Sequence, residues 1–168
     1  MPRRLCSIAV AALLVLTAAP GFAKVTKGDR ASEFSSVKDK RNKKLKLRQY
    51  RGKVVVLTFG ASWCKPCKKE LPAYEKLAKK FRKSKSNVEF IAINIDSERE
   101  NADDFVKKAG VKVVRVGYDP SGNSADKYEP PTMPTTYIID QKGIVREVHR
   151  GFESGDEKTV EKLVKKLL

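Results

Sequence analysis

Two apolar runs with an amphipathic stretch between them constrain this chain more than any other feature. Residues 54–59 are β-branched and apolar without alternation, as expected of a strand covered on both faces, and residues 88–95 return to a buried strand. Between them Leu71, Tyr74, Leu77, Ala78 and Phe81 recur at three- and four-residue spacing, opposite Lys68, Lys69, Lys76, Lys79 and Lys80. That spacing predicts an amphipathic helix from Pro66 onward, with Pro72 as a kink. Strand, helix and strand in succession predict parallel strands joined by a right-handed crossover. Cys64 and Cys67 stand where the first strand hands over to the helix.

The rest of the chain extends an α/β fold with a mixed central sheet flanked by helices. Residues 24–53 are lysine-rich, with a polar turn at 39–44, and read as an N-terminal β-hairpin. Its second strand is expected where Leu45 and Leu47 alternate with Lys44, Lys46 and Arg48. Asp96 and Ser97 are expected to cap a second helix carrying Ala102, Phe105, Val106 and Ala109, which ends at Gly110. Residues 113–116 read as a short extended segment and residues 121–128 as a short helix. Pro130, Pro131 and Pro134 forbid a helix and leave a rigid loop. Residues 135–140 and 144–152 read as strands joined by a turn at 141–143, before a final helix from Asp156.

Residues 1–23 have the form of a secretory signal and stand apart from the fold. Arg3 and Arg4 precede an apolar run over 5–19, and Gly21 and Ala23 place small residues where a signal peptidase reads, which predicts cleavage after Ala23 and an exported protein. Removal takes Arg3, Arg4 and Cys6, lowering the net charge from +16 to +14 and leaving Cys64 and Cys67 as the remaining cysteines. A pair so close in sequence closes too small a loop to constrain an unfolded chain much, so a reactive pair is the better reading. Residues 24–168 form one domain, the hairpin extension (24–53) and a core (54–168).

The attacking species in disulfide exchange is the thiolate, whose charge a helix N-terminus favours. Cys64 is placed there as the exposed nucleophile, beside Lys65, and Cys67 one turn in as the more buried resolving thiol. Structural zinc needs about four ligands, and His149 is the one histidine of the chain. Lone His149, between Val148 and Arg150, reads as a surface residue. An inert structural disulfide is the other reading of the pair.

With these residues the chain resembles the thioredoxin superfamily, and within it the exported TlpA- and ResA-like thiol-disulfide oxidoreductases. Trp63-Cys64-Lys65-Pro66-Cys67 is similar to the WCxPC signature, and residues 134–140 followed by Gly143 are similar to the family's PTTxxID-xxG segment. Residues 28–53 resemble the hairpin that precedes the core in this branch. The resemblance implies a thioredoxin fold, Pro134 as a cis-proline facing the cysteines, and Met133 offering backbone groups to a substrate strand. Trp63, Lys65 and Pro66 would join them in contacting substrate.

The family's buried aspartate falls at Thr58, which is no acid or base near neutral pH, and its frequent aromatic falls at Gly60. Glu70, three residues after Cys67, matches the CxxCxxE arrangement of ResA-like proteins. A partly buried Glu70 would take the proton from Cys67. The alternative is a solvated helix glutamate close to Lys68 and Lys69.

With 36 Lys and Arg against 20 Asp and Glu, the chain is strongly basic, and Lys38, Lys40, Arg41, Lys43, Lys44, Lys46, Arg48, Arg51 and Lys53 cluster before the core. Such charge attracts an acidic partner or an anionic membrane face, weakly and in a salt-dependent way. An exported chain without a nucleic-acid-binding motif is not expected to bind nucleic acid. The expected activity is reduction of protein disulfides by a monomer without a bound cofactor. The resemblance implies a membrane thiol donor of the DsbD or CcdA kind and a role in cytochrome c maturation. A thiol peroxidase and a basic binding module with a structural CxxC are the alternatives.

Overall fold

The apolar run predicted as the central strand lies in the middle of the sheet. The computed structural model describes residues 24–168; the predicted signal, with Cys6, lies outside them. β1 (Val54–Gly60) is flanked by β2 (Val88–Asn94) and β4 (Thr135–Ile139), with β3 (Arg115–Tyr118) and β5 (Val145–Arg150) at the edges. β1 pairs parallel with β2, and β2 with β3, whereas β1 with β4 and β4 with β5 are antiparallel. The helices are α1 (Cys67–Lys83), α2 (Arg99–Lys108), α3 (Asn123–Tyr128) and α4 (Asp156–Leu167). α1 contains Pro72 and is a single α-helix over its whole length.

Because successive strand residues point to opposite faces, β1 divides between two cores. Val54 and Val56 pack with Leu71, Tyr74, Leu77 and Phe81 of α1 and Val160 and Val164 of α4. Val55, Leu57 and Phe59 pack with the N-terminal segment and the aromatics Tyr128 and Tyr137. Phe59 and Tyr128 have ring centroids 5.0 Å apart. Two covered faces account for the absence of alternation in this strand.

The N-terminal segment covers its face in a form other than the expected two-stranded hairpin. It crosses the sheet from one edge toward the other, bridging Arg30 to Ile144 and Lys38 to Tyr118, and buries Val25, Phe34, Val37 and Leu45 on the way. The expected turn is present, closed by a single Lys38–Lys44 bridge. The expected second strand is replaced by a 3₁₀ helix, Leu47–Tyr50. The Glu33 carboxylate accepts from the backbone N–H groups of Leu47 and Arg48, drawing off the donors a strand ladder would use. The alternation of Leu45 and Leu47 marked burial correctly and mistook its geometry.

α2 also starts differently. Its N-cap is Glu98, and Asp96, expected as the cap, turns inward. Asp96 accepts from the Ser62 N–H (2.9 Å), the Ser62 hydroxyl (2.8 Å) and the Asn94 side-chain amide (2.8 Å). The end of β2 is thereby tied to the loop that carries the cysteines.

Candidate active site

Four residues after β1 comes Cys64, and Cys67 is the first residue of α1. The two form a disulfide with an S–S distance of 2.03 Å. The backbone N–H of Cys67, among the helix-end donors without an intrahelical partner, points to Cys64 Sγ at 3.2 Å. Cys64 itself precedes the helix, so the dipole reaches its sulfur across this contact. In this oxidised state the expectation of an exposed Cys64 fails: Cys64 is 5% exposed and Cys67 2%. Both cysteines belong to the core that holds Leu71 and Tyr74, while Trp63 stands out at 65% exposure and Lys65 is exposed. Gly60 leaves room for the pair, since a Cβ there would lie 3.2 Å from Cys67 Sγ.

Glu70 is 2% exposed, which removes the reading of a solvated helix glutamate. Thr58 Oγ1 donates to its Oε2 and Thr136 Oγ1 to its Oε1, each at 2.8 Å. Thr58 and Thr136 are directly opposite one another in the antiparallel β1–β4 pairing, so the two strands present a pair of hydroxyls to one carboxyl on α1. Burial pushes the Glu70 carboxyl up to about 7, against the opposing hydrogen bonds from Thr136, Thr58 and Tyr74. Thr58, Gly60, Cys67, Glu70 and Asn94 line a cavity of about 10 Å³. That is close to the smallest space that holds one water.

Pro134 immediately precedes β4, whose register sets Thr135 beside Phe59 near the end of β1. The Met133–Pro134 peptide is cis. The Pro134 carbonyl accepts from Gly151 N–H at 2.8 Å. Met133 packs against the core that holds both cysteines, and among the described residues its own N–H and carbonyl have no hydrogen-bond partner. His149 is on β5 opposite Thr136, its Nε2 3.0 Å from Asp156 Oδ2.

The AhpC/TSA family model matches residues 27–148. The thiol-disulfide oxidoreductase ResA of Bacillus cereus is 32% identical over 165 residues, covering 92% of each chain. The chain belongs to this family, on its ResA-like branch. The thioredoxin-like protein YneN of Bacillus subtilis is 34% identical over 129 residues, 76% of this chain and 73% of that one. Among solved structures, a putative thiol:disulfide interchange protein DsbE from Chlorobium tepidum superposes with a TM-score of 0.78 at 30% identity, covering 86% of this chain and 99% of that one. The ResA-like chain has the thioredoxin fold and is a thiol-disulfide oxidoreductase.

Thr136, Tyr74 and Asp96 were not singled out as site residues from sequence. One signal was available: Thr58 is a polar interruption in the apolar run of β1, and Thr135 and Thr136 put two hydroxyls at the start of β4. Buried hydroxyls need partners, and for Thr58 and Thr136 the partner is Glu70.

Proposed function

We propose that this protein is an exported reductase of protein disulfides, with Cys64 as nucleophile, Cys67 as resolving thiol and Glu70 as the proton acceptor for Cys67. The Cys64 thiolate attacks one sulfur of a substrate disulfide, forming a mixed disulfide and releasing a substrate thiolate that takes up a proton. Cys67 gives its thiol proton to Glu70 and attacks Cys64 sulfur, breaking the mixed disulfide. The substrate leaves with two electrons gained, and the enzyme is left as the Cys64–Cys67 disulfide. Met133 and Pro134 bound the substrate groove with Trp63, Lys65 and Pro66, and the unpartnered Met133 backbone groups receive an extended substrate segment. Supply of electrons in an oxidising compartment falls to a membrane thiol donor of the DsbD or CcdA kind. Cytochrome c maturation is the proposed setting.

The observation that carries this reading is the buried Glu70, an acceptor poised near neutral pH beside the resolving cysteine. Insulin-disulfide reduction tests it. Cys64→Ser is expected to abolish activity and Cys67→Ser to accumulate a mixed disulfide; full activity in Cys64→Ser would refute the nucleophile. The direction of electron flow is tested by the reduction potential of the pair. A value near thioredoxin's about −270 mV supports a reductase, and one near about −120 mV makes the protein an oxidant. The AhpC/TSA match favours a thiol peroxidase as the second reading. Peroxide consumption faster than insulin reduction would select it.

A further inference from the structure

Three hydroxyls hold Glu70 in a fixed order of donation. Thr58 donates to Oε2 and Thr136 to Oε1. A threonine hydroxyl carries one proton, so once Thr136 has donated to Oε1, its 3.0 Å contact with Tyr74 Oη has the phenol as donor. Tyr74 is enclosed by Phe90 and Phe152, with ring centroids 6.1 and 5.8 Å away, and its hydroxyl meets Thr136 Oγ1 with the Glu70 carboxyl close by.

A neutral Glu70 has to donate from one of its two oxygens. From Oε1 it would donate to Thr136, and either the Thr136 proton or the Tyr74 phenol would lose its acceptor inside the core. From Oε2 it donates to Thr58, whose own proton can turn into the small cavity that Thr58 shares with Cys67. The two oxygens are therefore inequivalent. We propose that Tyr74, acting through Thr136, is a positioning residue that keeps Oε1 an acceptor and directs the exchanged proton onto Oε2, with Thr58 as the hydroxyl between that oxygen and Cys67.

This inference rests on the reading of Glu70 as the acceptor for Cys67. In the step, the Cys67 S–H bond breaks and Thr58 receives that proton while passing its own to Glu70, where an O–H bond forms. No electrons change hands, and the thiolate left on Cys67 is free to attack Cys64 sulfur. The other groups packed around the carboxyl add little charge. β1 and β4 present the two threonines, β2 the neutral Asn94, and α2 and β3 the apolar Phe105, Val106 and Val116. From α4, Asp156 acts on Tyr74 and is itself paired with His149.

The test uses the full chain with labelled glutamate carboxyls, the Glu70 signal being assigned by its loss in Glu70→Gln. Tyr74→Phe keeps the ring packing and removes the donor. It is expected to raise the Glu70 midpoint by about one pH unit, a tenfold change in proton affinity. Thr136→Val should do the same, and Thr136→Ser should return the wild-type value. Thr58→Val is expected, at matched Glu70 ionisation, to slow single-turnover product release from the Cys64 mixed disulfide on the order of tenfold, and Thr136→Val is not. An unmoved midpoint in Tyr74→Phe, or equal release rates in the two valine variants, overturns the positioning role alone. Unchanged cysteine titration in Glu70→Gln overturns the acceptor reading and the proposal with it.

Discussion

Glu70 carries into the core a carboxyl that resists ionisation, and the cost depends on pH. Below its ordinary 4.5 the group is protonated folded or unfolded; between there and about 7 the unfolded chain releases a proton that the folded chain keeps. The contribution to stability is therefore full below 4.5 and is lost as pH rises through about 7. A rise from 4.5 to about 7 corresponds to on the order of 3 kcal/mol. Urea unfolding across this window should show wild-type stability falling relative to Glu70→Gln; parallel curves would refute the raised carboxyl. The spacing of Glu70 from Cys67 was legible in the sequence. Its burial was not, because Lys68 and Lys69 immediately precede it in the same helical turn and local pattern cannot say how far a neighbouring strand reaches.

At the scale of elements, the cysteine loop is held from two directions. Ala61 carbonyl accepts from Cys64 N–H at 3.2 Å within the loop, and Asp96 grips Ser62 from the end of β2. Asp96→Ala removes the acceptor of Ser62 and leaves the Asn94 amide buried without it, which should cost about 1–3 kcal/mol. Insulin reduction should fall as well, because the nucleophile is no longer held in place. An equal loss of stability with unchanged activity would reduce Asp96 to a fold residue. The sequence showed strands and helices by period. It misread the termini, where carboxylates such as Asp96 and Glu33 accept from donors in segments distant along the chain.

Across the whole molecule, the basic cluster of the N-terminal segment meets cations from α1 and the β3 edge. Lys40, Arg41, Lys43, Arg82, Lys85, Lys112 and Arg115 border one cleft of about 760 Å³. Glu89 pairs with Lys53 and Arg115 there. Reduction of an acidic protein substrate should slow as salt rises, since fields from exposed charges decay over about 10 Å at 0.1 M. Reduction of a small neutral disulfide should stay level under the same salts, and an equal fall for both would remove steering as the cause.

The sequence by itself determined the parallel strand pair around an amphipathic helix, the cysteines at their junction, and the proline loop leading into β4. Those properties follow from local hydrophobic period and from residues with singular chemistry. Tertiary structure alone decided what Glu70 is. Its two hydroxyl partners lie 12 and 66 residues away in sequence, and they converge only because β1 and β4 pair antiparallel with Thr58 opposite Thr136. Period reports that a residue is buried. What a buried polar group meets depends on the register between strands, which is set by the packing of the whole sheet.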